Sequence, residues 1–189
     1  MYILLCHMKA AIVCGSRDGG LTSGICRSFS KGLAIHGICA EILFPIEMNI
    51  AHCTGCGSCS EGGVCNICDD MDIFYKAFMK SDMLVLATPI HFSGPSSVIK
   101  AVIDRFQPIW FKKGEHPSFA AALLSGGGVS PNYKNTISIF KAFSITAEMK
   151  WLGHLEISDT DKNGSQDVAN SFSFDYGKEM GSVLINNQK

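Results

Sequence analysis

The sequence predicts a three-layer α/β/α domain on a five-stranded, doubly wound parallel sheet of strand order 2-1-3-4-5. Three observations predict it. Short, nearly all-apolar runs alternate five times with longer stretches whose apolar residues recur every three or four positions. Such runs read as strands buried on both faces, and the alternation implies crossover helices. The loops after the first, third and fourth strands are rich in Gly, Ser and Thr, as expected where a doubly wound sheet binds ligands beyond its carboxyl strand ends.

Each element follows in order. Residues 1–8 are expected to be an N-terminal extension, since Met8-Lys9 directly precedes a strand; residues 9–189 form a single domain. Lys9–Cys14 is the first strand. The polar loop Gly15–Ser23 leads into a helix with Ile25, Phe29 and Leu33 at i, i+4, i+8, stopped by Gly37. Cys39–Phe44 is the second strand. Residues 45–70 are a cysteine loop inserted before a helix that carries Ile73, Phe74, Ala77 and Phe78 on its core face. Asp69, Asp70 and Asp72 suit the dipole at its start. Met83–Ala87 is the third, central strand. Thr88–Ser97 leads into a helix with Ile99, Val102, Ile103 and Phe106 on one side, then a connector at 107–117. Phe119–Leu124 is the fourth strand, followed by Ser125-Gly126-Gly127-Gly128. Residues 134–150 are a helix with Ile137, Phe140, Ser144 and Ala147 along one face. Gly153–Ser158 is a weaker fifth strand, and a last helix carries Val168, Phe172, Tyr176, Met180 and Leu184 at i+4 steps.

Composition removes several classes of function. The 189 residues are 47% hydrophobic with a net charge of −1, so no basic surface argues for nucleic acid. No apolar run approaches the roughly 18 residues that span a bilayer, and Met1–Cys6 is too short for a signal core. Nine cysteines without a secretion signal fit a reducing, cytoplasmic setting. Cys14, Cys26 and Cys39 lie in apolar patterns and are expected to be buried thiols.

Two stretches carry chemistry. The loop at 15–23 joins strand to helix, so that its N–H groups and the helix N-terminus face an anion, with Ser and Thr hydroxyls as further donors. Its spacing is neither G-x-x-x-x-G-K-[ST] nor G-x-G-x-x-G, which leaves a single phosphate as the expected ligand. The second stretch places Cys53, Cys56, Cys59, Cys65 and Cys68 in C-x-x-C-x-x-C-x-x-x-x-x-C-x-x-C among glycines. Two-residue gaps suit an iron-sulfur cluster. They also suit a tetrahedral zinc site, a metal-free thiol loop or a disulfide.

Gly15-Ser16-Arg17 with Thr22, then Ala87-Thr88-Pro89-Ile90-His91-Phe92 running into Lys100-Ala101-Val102-Ile103-Asp104-Arg105, resembles the NADPH-dependent FMN reductase-like branch of the flavodoxin superfamily. The cysteine run followed by Asp69-Asp70-Met71 is similar to that branch's iron-sulfur flavoproteins. The resemblance covers roughly residues 9 to 186. It implies that Ser16, Arg17, Thr22 and Ser23 hold the FMN phosphate. Pro89, Ile90, His91, Phe92 and Ser93 would line the isoalloxazine, and Ser125, Gly126 and Gly127 would complete the pocket. It implies a [4Fe-4S] cluster on Cys53, Cys56, Cys59 and Cys65, with Cys68 as the alternative fourth ligand, carried beside the flavin. It further implies homodimers or homotetramers with flavin and cluster near a subunit interface, and an NAD(P)H or ferredoxin-like donor. Three positions depart from the family pattern: Leu21 replaces Asn, His91 replaces Tyr, and Cys68 is additional.

The expected activity is that of an oxidoreductase in which flavin and cluster couple two-electron to one-electron carriers. No acid–base residue is required; His91 is the one candidate, since an imidazole can accept or donate a proton. A cluster-free NAD(P)H:FMN or quinone reductase, an electron carrier without a substrate and a zinc-binding module are the alternatives.

Overall fold

The computed structural model describes residues 6–162 and 164–187. Five parallel strands form the sheet: β1 (Met8–Cys14), β2 (Ile38–Leu43), β3 (Met83–His91), β5 (Phe119–Ser125) and β6 (Lys150–Ile157). A sixth strand, β4, is the residue pair Gly94–Pro95, which folds back antiparallel on Ile90 and His91. Numbered along the chain, the sheet therefore runs 2-1-3-5-6 with β4 off the path. This corrects the expected five-strand order 2-1-3-4-5, because a two-residue strand has no periodicity to read. β3 also runs four residues past Ala87, so Pro89, Ile90 and His91 are strand rather than loop.

The helices cover both faces. Ala11, Val13, Leu84, Leu86, Ala120 and Ala122 pack against α3 (Met71–Lys80), α4 (Ser97–Arg105) and α6 (Lys134–Thr146). The alternate residues Ala10, Ile12, Cys14, Val85, Ala121 and Leu123 pack against α1 (Leu21–Ala34) and α7 (Ser165–Asn186). This is the two-residue alternation of a strand serving two layers. Short helices α2 (Cys59–Gly62) and α5 (Pro108–Phe111) lie within the cysteine loop and the connector.

Three expectations are corrected here. The α7 face differs from its i+4 reading: Val168 and Phe172 are exposed, and the buried line is Ala169, Ser173, Gly177, Met180, Gly181 and Leu184. Small residues win because α1 and α7 touch backbone to backbone. A Cβ on Gly32 would stand 2.2 Å from the Phe174 carbonyl oxygen, and one on Gly177 would stand 2.3 Å from that of Phe29. Met8 belongs to β1, buried opposite Ile38, rather than to an extension; residues 1–5 of that extension lie outside the described residues. Cys39 is half-buried and bonded to Cys6, not a buried free thiol, whereas Cys14 and Cys26 are buried and free.

Candidate functional site

The loops after β1, β3 and β5 meet at the carboxyl edge of the sheet. Gly15 donates to the Ala87 carbonyl at 2.7 Å, tying the first loop to β3. A Cβ on Gly15 would sit 2.5 Å from both Ile99 Cγ1 and Ser96 Oγ, so glycine is what lets the start of α4 approach the end of β1. Thr22 and Ser125, 103 residues apart, share a buried hydroxyl–hydroxyl bond of 3.0 Å that joins the first and third loops. Thr88 accepts from the Ser96 N–H at 2.9 Å and closes the middle loop. Ser96 Oγ is buried with no hydrogen-bond partner among the described residues.

The first loop fits a phosphate. Helix α1 begins after Gly20 with no side-chain cap and no acidic residue in its first turn, which leaves its leading N–H groups available to an anion. Thr22 and Ser23 are buried in that turn, and Ser16 and Arg17 lie on its rim, with Arg17 exposed. Asp18 is the acid of the loop, and Arg27 neutralises it with contacts of 2.6 and 2.7 Å. Hydrogen bonds from Arg27 and the Gly19 N–H hold the Asp18 carboxyl below its ordinary pKa. Sequence reasoning missed both residues. Beneath the loop, Cys26 hydrogen-bonds the Cys14 thiol and lowers it to about 7, partly opposed by burial.

The second and third loops supply walls. Phe92 and Ser93 turn the chain with positive φ (50° and 63°), a conformation non-glycine residues adopt at a cost. The turn leaves Phe92 fully exposed beyond Pro89, Ile90 and His91. Gly126 and Gly127 face Pro131 and Asp161, which leave no room for a Cβ at either position. Tyr133 donates to the Ile157 carbonyl at 2.8 Å and braces this loop from below.

The cysteine loop is a closed Ω-like excursion. Its stems zip together where Asp70 donates to Asn49 O at 3.0 Å, Asn49 to Asp70 Oδ2 at 2.7 Å, and Ala51 to Asp69 Oδ2 at 2.8 Å. Arg105 locks both stems. Its guanidinium pairs with Asp69 at 2.6 and 3.0 Å and donates to the carbonyls of Ala51 and Ile67 at 2.8 and 3.1 Å. Its side chain is 0% exposed and that of Asp69 is 4%. Sequence reasoning assigned Asp69 to the helix dipole and Arg105 to the motif alone; nothing local announces a pair 36 residues apart.

Within the loop, Cys53, Cys56, Cys59 and Cys65 line one cavity of about 410 Å³, with Asp104, Arg105 and Phe111 on its far wall. Cys68 is exposed and does not line it. Gly55 and Gly57 take positive φ (67° and 76°) on either side of the exposed Cys56 and bend the loop there. The sulfurs surround the cavity instead of meeting at a point: among the described residues no three His, Cys, Asp or Glu side chains gather closely enough to grip a single ion.

The two regions sit at opposite ends of α4. The middle loop enters its first turn, while Asp104 and Arg105 of its last turn line the sulfur cavity. Nine helical residues rise about 13 Å, so within one chain about a helix length separates the thiol cavity from the middle loop. Among the described residues no helix is long and apolar enough to cross a membrane.

Comparison with known proteins is consistent with this geometry. The family model described as NADPH-dependent FMN reductase matches residues 8–158. The chain is 33% identical over 147 residues to an iron-sulfur flavoprotein of Methanocaldococcus jannaschii, covering 77% of this chain and 76% of that one. Its fold matches an NAD(P)H:quinone oxidoreductase of Methanothermobacter marburgensis with a TM-score of 0.72 at 12% identity, over 92% of this chain and 98% of that one. It also matches an FMN-dependent NADH-azoreductase of Bacillus anthracis, solved in complex with FMN, with a TM-score of 0.66 at 11% identity, over 93% and 99% of the two chains.

Proposed function

Since the chain belongs to the NADPH-dependent FMN reductase family and is an NAD(P)H-dependent FMN oxidoreductase, we propose that it couples this flavin chemistry to a [4Fe-4S] cluster on Cys53, Cys56, Cys59 and Cys65. The observation that carries the proposal is the shared cavity: all four thiols line it, and Cys68 does not. A four-iron cluster takes one thiolate per iron, so its ligands surround a volume. A zinc ion needs all four sulfurs at about 2.3 Å from one point. One observation favours the alternative, a cluster-free reductase, namely that no three of these groups gather around a common point.

FMN supplies hydride and single-electron transfer when bound. The chain's residues position it. The N–H groups of the first turn of α1, with Ser16, Arg17, Thr22 and Ser23, hold the phosphate. Pro89, Ile90, His91, Phe92 and Ser93 form one wall of the ring site, with Ser125, Gly126 and Gly127 opposite. Asp161, against Gly127, adds an acid that sequence reasoning did not name. The helix-length separation of the two sites supports assembly as a homodimer or homotetramer, in which the thiol loop of one copy approaches the flavin site of another. NAD(P)H is the donor, and a ferredoxin-like protein is a further candidate donor.

The test is an anaerobic visible spectrum of freshly purified protein with flavin, iron and sulfide assays. The proposal expects bound FMN together with broad, NAD(P)H-bleachable iron-sulfur absorbance. Flavin without iron would leave the cluster-free reductase.

A further inference from the structure

A second cavity, of about 330 Å³, opens on the flank of the domain between α3, the α4–α5 junction and residues 112–116. Its floor is made of rings. Phe78 and Phe106 stand 4.9 Å apart between centroids, and Tyr75 meets Phe106 edge-on at 5.2 Å. Phe78 and Phe106 are 3% and 4% exposed, so this floor belongs to the packed core and holds its shape. Met79 and Ile109 extend the apolar wall. Cys65 and Pro108 line this cavity and the sulfur cavity alike, and so form the partition between the two. No residue of the loops at 15–23, 88–96 or 125–133 lines it.

The polar groups at the lip narrow the ligand. Lys112 and Lys113 are offset by Asp72 and Glu115, so the lip presents no strong field for an ion. Lys113 is already engaged with the Thr146 carbonyl and Glu148, and the Tyr75 hydroxyl with the Arg105 carbonyl. Two groups remain. Lys112 can donate. His116 Nδ1 lies 3.0 Å from the Pro117 carbonyl, which only accepts, so its neutral ring keeps Nε2 as an acceptor.

A ring-lined niche of a few hundred Å³ with a small number of polar groups is the usual form of a small-ligand site. We propose that this cavity binds a small neutral aromatic hydroxy compound, a phenol or naphthol of one or two fused rings. Its ring packs on the edges and faces of Phe78, Phe106 and Tyr75. A hydroxyl matches the lip because it accepts from Lys112 and donates to His116, whereas a carbonyl can only accept. The site is separate from the flavin loops.

The test is titration of 2-naphthol into the purified holoprotein by calorimetry, with protein-observed NMR to locate the contact. The expected result is saturable binding of one equivalent that leaves the flavin spectrum unchanged. Met79 and Val64 are 44% and 69% exposed, so Met79→Trp and Val64→Trp fill the mouth with little demand on the core. Each should weaken binding at least tenfold, about 1.4 kcal/mol, with melting temperature and flavin content retained. Three results would overturn the proposal: no saturable binding, equal affinity in wild type and both variants, or binding that perturbs the flavin spectrum and competes with FMN. Iron content enters none of these readouts, so they are read separately from the fate of the cluster.

Discussion

Asp69→Asn should release the cysteine loop. The change keeps the side chain's shape and removes the charge that faces Arg105, a guanidinium with 0% exposure held by four hydrogen bonds, two of them to Asp69. Removing one partner of a buried pair costs about 3–5 kcal/mol. The amide oxygen of Asn still accepts one bond, so the lower end, about 3 kcal/mol, is expected. At a urea m-value of roughly 1–3 kcal/mol/M, that lowers the unfolding midpoint by about 1–3 M. Most of residues 51–68 are exposed, so the loop can detach before the sheet unfolds, and part of the loss then appears as local opening. The assay is urea unfolding followed by fluorescence, with thiol-reagent kinetics and amide exchange over residues 49–71. Replacing both partners, as Asp69→Asn with Arg105→Met, should recover part of the loss, since no unpaired charge remains. Acid should show the same pair. Hydrogen bonds from Arg105, opposed in part by burial, hold the Asp69 carboxyl below its usual range. A depressed folded pKa gives stability that is complete above the unfolded value of about 3.9 and is lost as pH falls through the lower folded value. The wild type should therefore lose stability below about pH 4 more steeply than Asp69→Asn. An Asp69→Asn protein with an unchanged midpoint and unchanged thiol reactivity would refute the clamp.

Other consequences are as direct. Gly32→Ala places a methyl 2.2 Å from the Phe174 carbonyl oxygen, and forcing α1 from α7 should cost about 1–3 kcal/mol in thermal unfolding; an unchanged melting temperature would contradict the backbone contact. Thr22→Val removes the 3.0 Å bond to Ser125 and strands a buried hydroxyl, which should cost about 1–3 kcal/mol and speed flavin release in equilibrium dialysis. Burial, with a smaller contribution from Glu156, pushes the Tyr133 phenol up to about 12. A raised folded pKa gives stability that is complete below the unfolded value of about 10 and is lost as pH rises through about 12; Tyr133→Phe should flatten that alkaline decline.

The alternation of β1, β2, β3, β5 and β6 with their helices was legible because a strand buried on both faces leaves an unbroken apolar run, as in MLVLA. The loops were legible because turns at strand ends need Gly, Ser and Thr. What the sequence concealed depends on long-range contact. β4 is the pair Gly94–Pro95, too short to carry a period. The packing face of α7 was misread because Val168 and Phe172 fit an i+4 stripe, while Gly177 and Gly181 fit only once α1 lies against them. The thiol cluster was visible in its spacing. Its clamp was not, because Asp69 and Arg105 meet only after α4 packs beside α3. Its distance from the strand-end loops follows from the direction in which α4 runs, which no motif encodes. The Cys6–Cys39 link depends on the register that sets residues before β1 against β2.

The most direct measurement is iron and acid-labile sulfide per chain after anaerobic reconstitution, for single Cys→Ser variants at 53, 56, 59, 65 and 68, each with its flavin content. The account predicts about four iron and four sulfide per chain in the wild type and in Cys68→Ser. It predicts a sharp loss in each of the other four variants, with FMN retained throughout. Full iron in Cys65→Ser together with loss in Cys68→Ser, or no iron in any protein that binds FMN, would contradict it.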